Sequence, residues 1–338
     1  MSETITAMAR ETAQAPAAVA RLLQELNPAL PGLQRLFVRQ QPSHIVTLAR
    51  GSSDHAAGYC KYLIEILLGL PCASVGPSVV SVYGAKLALK DCIVIAISQS
   101  GASPDSLAFA EAAKRAGVPL VAITNTPGSP LARLADIALD LCAGTEQSVA
   151  ATKTFIASAA LLARLIGAWA GAQQLAGAIE RLPQSLEAAN SARWQGLEAA
   201  LIPAGSAFVL GRGPAMPMAG EAALKLKETS ALHAEAYSSA EVIHGPMELV
   251  APGFPVLMFA PNDAAAATNR ATAGRLRAAG ANVFVTGDGE VDYARTGHPL
   301  LDPISMIQTF YGAAERIARA RGRDPDRPHL LSKVTRTV

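Results

Sequence analysis

Residues 92–106 read CIVIAISQSGASPDS. The opening run of six apolar residues, four of them β-branched, has the length of one strand buried on both faces. Polarity then reverses at Ser98-Gln-Ser-Gly-Ala-Ser103. Pro104 follows, with Asp105 beside it. A proline loses nothing at a first helical position, and a carboxylate suits the positive end of the helix dipole. This predicts a helix that runs to Gly117 as its C-cap. The same order occurs upstream, where His44-Ile-Val-Thr-Leu-Ala49 enters Arg50-Gly-Ser-Ser53 and an apolar-spaced helix over residues 56–68. Downstream, residues 119–124 form the next strand. Strands alternating with helices predict a parallel, doubly wound α/β sheet with right-handed crossovers.

The pattern then returns. Residues 206–210 lead into Gly211-Arg-Gly-Pro214 and a helix starting near Met218. Residues 255–260 precede Pro261-Asn-Asp263 and a helix ending near Gly280, and residues 281–286 close the unit. Gly51 and Gly211 lie 160 positions apart, and Val121 and Val283 lie 162 apart. Two features at nearly one offset point to an internal duplication. Between the copies, residues 154–201 are rich in Ala and Leu with a continuous apolar face, so they are expected to pack as helices. The first forty residues also read as helical, with residues 17–26 rich in helix formers and Pro28 and Pro31 breaking the pattern. The expected organisation is a helical segment over residues 1–36, one α/β domain over 37–170, a helical linker over 171–201 and a second α/β domain with a tail over 202–338. The site is expected at the junction of the two copies.

Composition narrows the function. The 338 residues are 50% hydrophobic and 17% charged, with a net charge of +2. That length buries a core in each of two domains without a metal or disulfide staple. So small an excess of positive charge gives no broad basic field, which argues against nucleic acid as a partner. The mean hydropathy of +0.25 comes from alanine and short strands. No apolar run approaches the ~18 residues of a membrane span, and no signal peptide is visible, so a cytoplasmic protein without a membrane partner is expected. Cys60, Cys72, Cys92 and Cys142 form no metal-ligand spacing and read as buried, reduced thiols.

Six segments carry chemistry. In residues 98–103, the hydroxyls of Ser98, Ser100 and Ser103 and the amide of Gln99 meet a helix start whose free N–H groups favour an anion. The loop has no Lys or Arg, which suits a phosphate monoester on a neutral sugar. Ser52 and Ser53, after the earlier strand, border the same crevice. Residues 145–153, TEQSVAATK, offer further helix-start amides. In the second copy, Glu221, Lys225 and Glu228 share one helix face. On an arbitrary helix this is a solvated ion-pair stripe. Here Ala222, Ala223, Leu224 and Leu226 turn it toward a cleft, where a carboxylate serves as a base and a lysine holds an oxyanion. His244, in a turn before Gly245-Pro246, presents a ring nitrogen to substrate or to solvent, and no metal-binding spacing surrounds it. The tail from Asp326 to Val338 is apolar enough to dock and to carry Lys333 into a cleft.

Taken in order, the Ser98-Gln-Ser-Gly loop, Gly144-Thr-Glu, Thr152-Lys153, Glu221…Leu-Lys-Leu-Lys-Glu228, His233-Ala-Glu-Ala, Glu241…His-Gly-Pro246 and the Ser-Lys-Val-Thr tail cover nearly the whole chain. Together they resemble the tandem sugar-isomerase (SIS) domains of glucosamine-6-phosphate synthases. The resemblance implies two three-layer αβα domains and a phosphosugar ligand, fructose 6-phosphate or glucosamine 6-phosphate. Its phosphate would lie on Ser98, Gln99, Ser100 and Ser103, with Ser53 by the sugar. It also implies that Glu228 moves a proton between C1 and C2, Lys225 steadies the enediol-like charge and Lys333 engages the sugar carbonyl. His244 would open the ring from a neighbouring subunit of a homodimer. No cofactor or metal is implied.

The sequence departs from the synthases in two places. They carry an N-terminal glutaminase domain that begins with a nucleophilic cysteine, whereas residue 2 here is Ser2 and about forty residues precede the first strand. The family's Val-Ala-Ser-Thr-Lys also reads Val149-Ala-Ala-Thr-Lys153, so Ala151 lacks a hydroxyl beside the sugar. These differences favour resemblance to stand-alone SIS-type glucosamine-6-phosphate deaminases. The expected reaction then converts glucosamine 6-phosphate and water to fructose 6-phosphate and ammonia. The alternatives are the aminotransferase reaction, a deaminase or deglycase for another amino-sugar phosphate, and a non-catalytic phosphosugar sensor.

Overall fold

The structure is a computed structural model that describes residues 5–287 and 291–333. In chain order, α1 (Ala7–Leu26) and α2 (Leu30–Gln40) lead into β1 (His44–Leu48), α3 (Ser52–Leu67), β2 (Cys72–Ser74) and α4 (Ser78–Ser81). Next come β3 (Cys92–Ile97), α5 (Pro104–Ala116), β4 (Leu120–Thr124), α6 (Pro130–Leu134) and β5 (Ile137–Asp140). Four helices follow, α7 (Lys153–Trp169), α8 (Gln173–Glu180), α9 (Leu182–Asn190) and α10 (Gln195–Leu201). The second sheet is built from β6 (Ser206–Gly211), α11 (Met216–Ser230), β7 (His233–Ser238), β8 (Pro255–Met258), α12 (Ala266–Ala278) and β9 (Asn282–Val285), before α13 (Asp302–Ala320).

The first sheet has the order β2-β1-β3-β4-β5 and the second β7-β6-β8-β9. Every pairing in both is parallel. β1 therefore corresponds to β6, β2 to β7, β3 to β8 and β4 to β9. The two α/β copies read from the sequence stand as two parallel, helix-flanked sheets. In each, the strand order reverses beside the first strand, and the crevice at such a reversal lies outside the carboxyl ends of the strands. β3 is buried at all six positions, which accounts for its unbroken apolar run. Val46, Val94, Phe109 and Leu120 share the core of the first sheet, and Phe208, Val256, Leu276 and Val283 that of the second.

Two compact units emerge, and neither is continuous in sequence. One joins the first sheet to residues 17–145 and 153–180. The other joins the second sheet to residues 1–16, 146–152 and 181–333. Around the second sheet, Gln308 on α13 donates to the Thr12 carbonyl at 2.8 Å, and Asp326 accepts from the Met8 N–H at 2.8 Å. None of the helices in the described residues is long and apolar enough to cross a membrane.

Candidate active site

Both polar loops of the first sheet sit at its point of reversal. Gly51, with φ +57, turns the chain from β1 into α3, whose first residues are Ser52 and Ser53. The loop after β3 folds on itself, with the Gly101 N–H donating to Ser98 Oγ at 3.2 Å and the Asn125 N–H to the Gln99 carbonyl at 3.0 Å. Gly101 has φ +59, and a Cβ there would stand 2.2 Å from Ser129 Oγ. Only glycine fits both the angle and the approach. Arg50, at the end of β1, is ion-paired with the buried Asp105 in the first turn of α5, which ties the two loops together.

What these loops leave unused matters most. Ser103 occupies the N-cap of α5, yet its side chain makes no capping bond. Among the described residues, the hydroxyls of Ser53, Ser100 and Ser103 and the amide of Gln99 also have no protein partner, and all four residues are half-buried. A 13-residue helix points its N-terminus at them. Such a set of donors at a positive helix end suits a phosphate.

The loop over residues 146–152 behaves differently from its reading in the sequence. Three of its amides are already taken. The carboxylate of Glu11 accepts from the N–H groups of Gln147 and Ser148, the latter at 3.1 Å. Glu146 accepts from the Thr152 N–H at 3.0 Å. Val149 and Ala151 remain half-buried on this loop. Lys333 docks here, its Nζ 3.0 Å from Glu146 and 2.6 Å from the Ser148 carbonyl. Residues 334–338 of the tail, like Ser2, lie outside the described residues.

The charged stripe on α11 is divided. Glu221 and Lys225 are fully buried, so they face the core and not a cleft. Lys225 Nζ lies 3.4 Å from Glu221 and is hydrogen-bonded to Glu228. Burial alone would lower the Lys225 pKa, but the two carboxylates outweigh it and hold the ammonium above its usual value. Tyr311 on α13 donates to Glu221 at 3.1 Å. Burial, followed by the charge of Glu221, pushes this phenol well above the ordinary range. Only Glu228 reaches open space. Its side chain is 20% exposed and lines a cavity of about 780 Å³ with Leu224, Lys227, Arg327 and Leu331.

His244 ends a short 3₁₀ turn and is exposed, beside Gly245 with φ +143. Of the four free thiols, Cys60, Cys72 and Cys92 are buried as expected, whereas Cys142 is only partly so. Burial, then Glu65, raises Cys72 to about 11. The sequence reading missed Glu11, Arg50 and Tyr311. Their partners lie at sequence separations of 55 to 137, and no local pattern encodes such pairs.

Two parallel, doubly wound sheets, the first with a hydroxyl-lined loop at its reversal point, define a tandem α/β protein. The profile of the SIS domain matches residues 38–167 and 200–291, and the chain belongs to that family. It is 35% identical over 97% of its length to the glutamine–fructose-6-phosphate aminotransferase (isomerizing) of Aeropyrum pernix. It is 32% identical over 86% of its length to that of Escherichia coli K12. The chain covers 56% and 51% of those two proteins, so it spans about half the length of the curated relatives it matches. A candidate phosphosugar isomerase from Silicibacter pomeroyi DSS-3 superposes with a TM-score of 0.91 at 46% identity, covering 95% of this chain and 100% of that one. Thermotoga maritima glucosamine-6-phosphate deaminase shares the fold, with a TM-score of 0.80 at 20% identity, covering 98% of this chain and 100% of that one.

Proposed function

We propose that the protein is a phosphosugar isomerase that converts glucosamine 6-phosphate and water to fructose 6-phosphate and ammonia. The observation that carries this reading is the set of side chains on Gln99, Ser100 and Ser103 before α5 and on Ser53 in α3 that have no protein partner among the described residues. These groups and the adjacent backbone amides bind the phosphate. Ser98 shapes the loop, and Ser52 begins the helix beside it.

Glu228 is the base. It takes the proton from C2 of the open-chain sugar, leaving an enolamine, and returns it to C1. The product is the C2 imine of fructose 6-phosphate, and water hydrolyses it to the ketone and ammonia. Lys225 acts on this step through its bond to Glu228, which fixes where the carboxylate points. His244, exposed and beside a glycine, assists ring opening from a neighbouring subunit of a homodimer. Lys333 exchanges its contact with Glu146 for the sugar carbonyl, while Val149 and Ala151 border the sugar without a hydroxyl. A coupled assay for ammonia and fructose 6-phosphate from glucosamine 6-phosphate tests the reading. Turnover that depends on Glu228 is expected, and a folded protein without turnover overturns it.

The names of the Aeropyrum pernix and Escherichia coli relatives support a second reading, amination of fructose 6-phosphate. The same proton transfer runs in reverse there. Formation of glucosamine 6-phosphate from fructose 6-phosphate with glutamine as the nitrogen donor favours this second reading, and release of ammonia from glucosamine 6-phosphate without it favours the first.

A further inference from the structure

The duplication provides a second place to look for a phosphate. In the first copy the polar loop follows β3, and β8 is its counterpart in the second. The loop after β8 carries no serine. At its edge, however, lies a cavity of about 200 Å³ lined by Asn262, Arg270, Thr286, Gly287, Tyr293 and Arg295. It opens at the carboxyl ends of β8 and β9, where the topology places ligands in sheets of this kind.

Two guanidinium groups reach this cavity from separate elements. Arg270 comes from the second turn of α12, and Arg295 from the segment before α13. Among the described residues neither side chain is ion-paired to a carboxylate, and Arg295 stands 5.8 Å from the centre of the Tyr293 ring. Two carboxylates near Tyr293 hold hydrogen bonds of their own. Asp302 accepts from Tyr293 at 3.1 Å and from Thr296, and Asp263 accepts from the Ala265 N–H at 2.8 Å. Thr286 is fixed on the floor, accepting from the Ala260 N–H at 2.8 Å. Two arginines from separate elements that line one polar cleft of this size form a fork for a small dianion.

The geometry points to a second phosphate-binding site, formed by Arg270 and Arg295 at the position equivalent to the serine loop of the first copy. The two copies then bind one chemical group by different means, the first with hydroxyls and backbone amides, the second with guanidinium charge. The ligand is a small molecule bearing a phosphate dianion, and acetate, a monoanion, does not substitute for it. This inference does not depend on the proposed reaction, because its readout is binding.

Phosphorus NMR titrations with inorganic phosphate at constant ionic strength test the assignment, with acetate as competitor and crystals soaked in phosphate as the structural readout. Two sites are expected in the unaltered protein. Arg270→Gln and Arg295→Gln, singly and together, weaken one of them at least about 10-fold. Ser100→Ala with Ser103→Ala weakens only the other. Both arginines are exposed, so the variants keep their thermal midpoints. Soaked crystals show density between the two guanidinium groups. A single site that is lost with the serines and unchanged by the arginine substitutions overturns the inference. So does acetate that displaces phosphate from the arginine site at equal concentration.

Discussion

Glu228 and Lys225 occupy one helix face, three residues apart, yet they sit in different surroundings. Glu228 lines a cavity and Lys225 is sealed from solvent, so their substitutions should separate chemistry from stability. Glu228→Gln keeps the size and hydrogen bonding of the side chain but removes the base. Turnover of glucosamine 6-phosphate is expected to fall about 100-fold or more, with phosphosugar binding retained. Ser100→Ala should instead raise KM with little change in kcat, since it removes a contact made equally in ground and transition states. Steady-state kinetics with a parallel binding measurement reads both. Lys225→Met strands Glu221 in the core without its counter-charge, a loss of about 3–5 kcal/mol. Adding Glu221→Gln should return most of that stability. Chemical denaturation of the single and double variants measures the difference, and equal instability of the two would show that the ion pair is not the cause.

At the scale of elements, the loop over residues 146–152 shows what local patterns carry and what they do not. Its N–H groups resemble an anion site in sequence, but Glu11 and Glu146 already fill that role. Glu11→Ala leaves the amides of Gln147 and Ser148 without their carboxylate in a buried place. A cost of about 1–3 kcal/mol is expected, seen as a lower thermal midpoint, with Glu11→Gln intermediate. The strands β1, β3, β4, β6, β8 and β9 were legible because burial on both faces demands apolar runs. β7 was not, because at the sheet edge HAEAYS is buried at one position only, and β2 is too short to show a pattern. The start of α5 was legible in Pro104 and Asp105, whereas the pairing of Asp105 with Arg50 is a tertiary fact. The stripe on α11 shows the limit of helical spacing. The three charges do share a face, but α13 covers two of them and leaves the third at a cavity.

At the scale of the molecule, the unit around the second sheet is assembled from three separated stretches, residues 1–16, 146–152 and 181–333. The contribution of the first stretch is physical and local. Met8 and Ala15 are completely buried, Thr6 donates to Glu315 at 3.0 Å, and Asp326 accepts from the backbone of Ala7 and Met8. A fragment that starts at residue 181 therefore leaves apolar surface uncovered and the Asp326 carboxylate without its N–H donors. It also loses Glu146 and the Ser148 carbonyl, the partners that hold Lys333. Such a fragment is expected to keep parallel-sheet and helical far-UV signal but to lose the sharp near-UV spectrum and cooperative heat absorption of a packed core. Joining residues 1–16 to it through a flexible linker should recover part of the cooperativity, because the binding surface on α13 and around Asp326 is complete within that unit. A fragment over residues 181–338 that melts as sharply as the corresponding transition of the whole chain would show that the outlying stretches are attachments. Loss of cooperativity, restored by the linked N-terminal segment, would show that the second copy of the duplicated domain depends on residues encoded before the first.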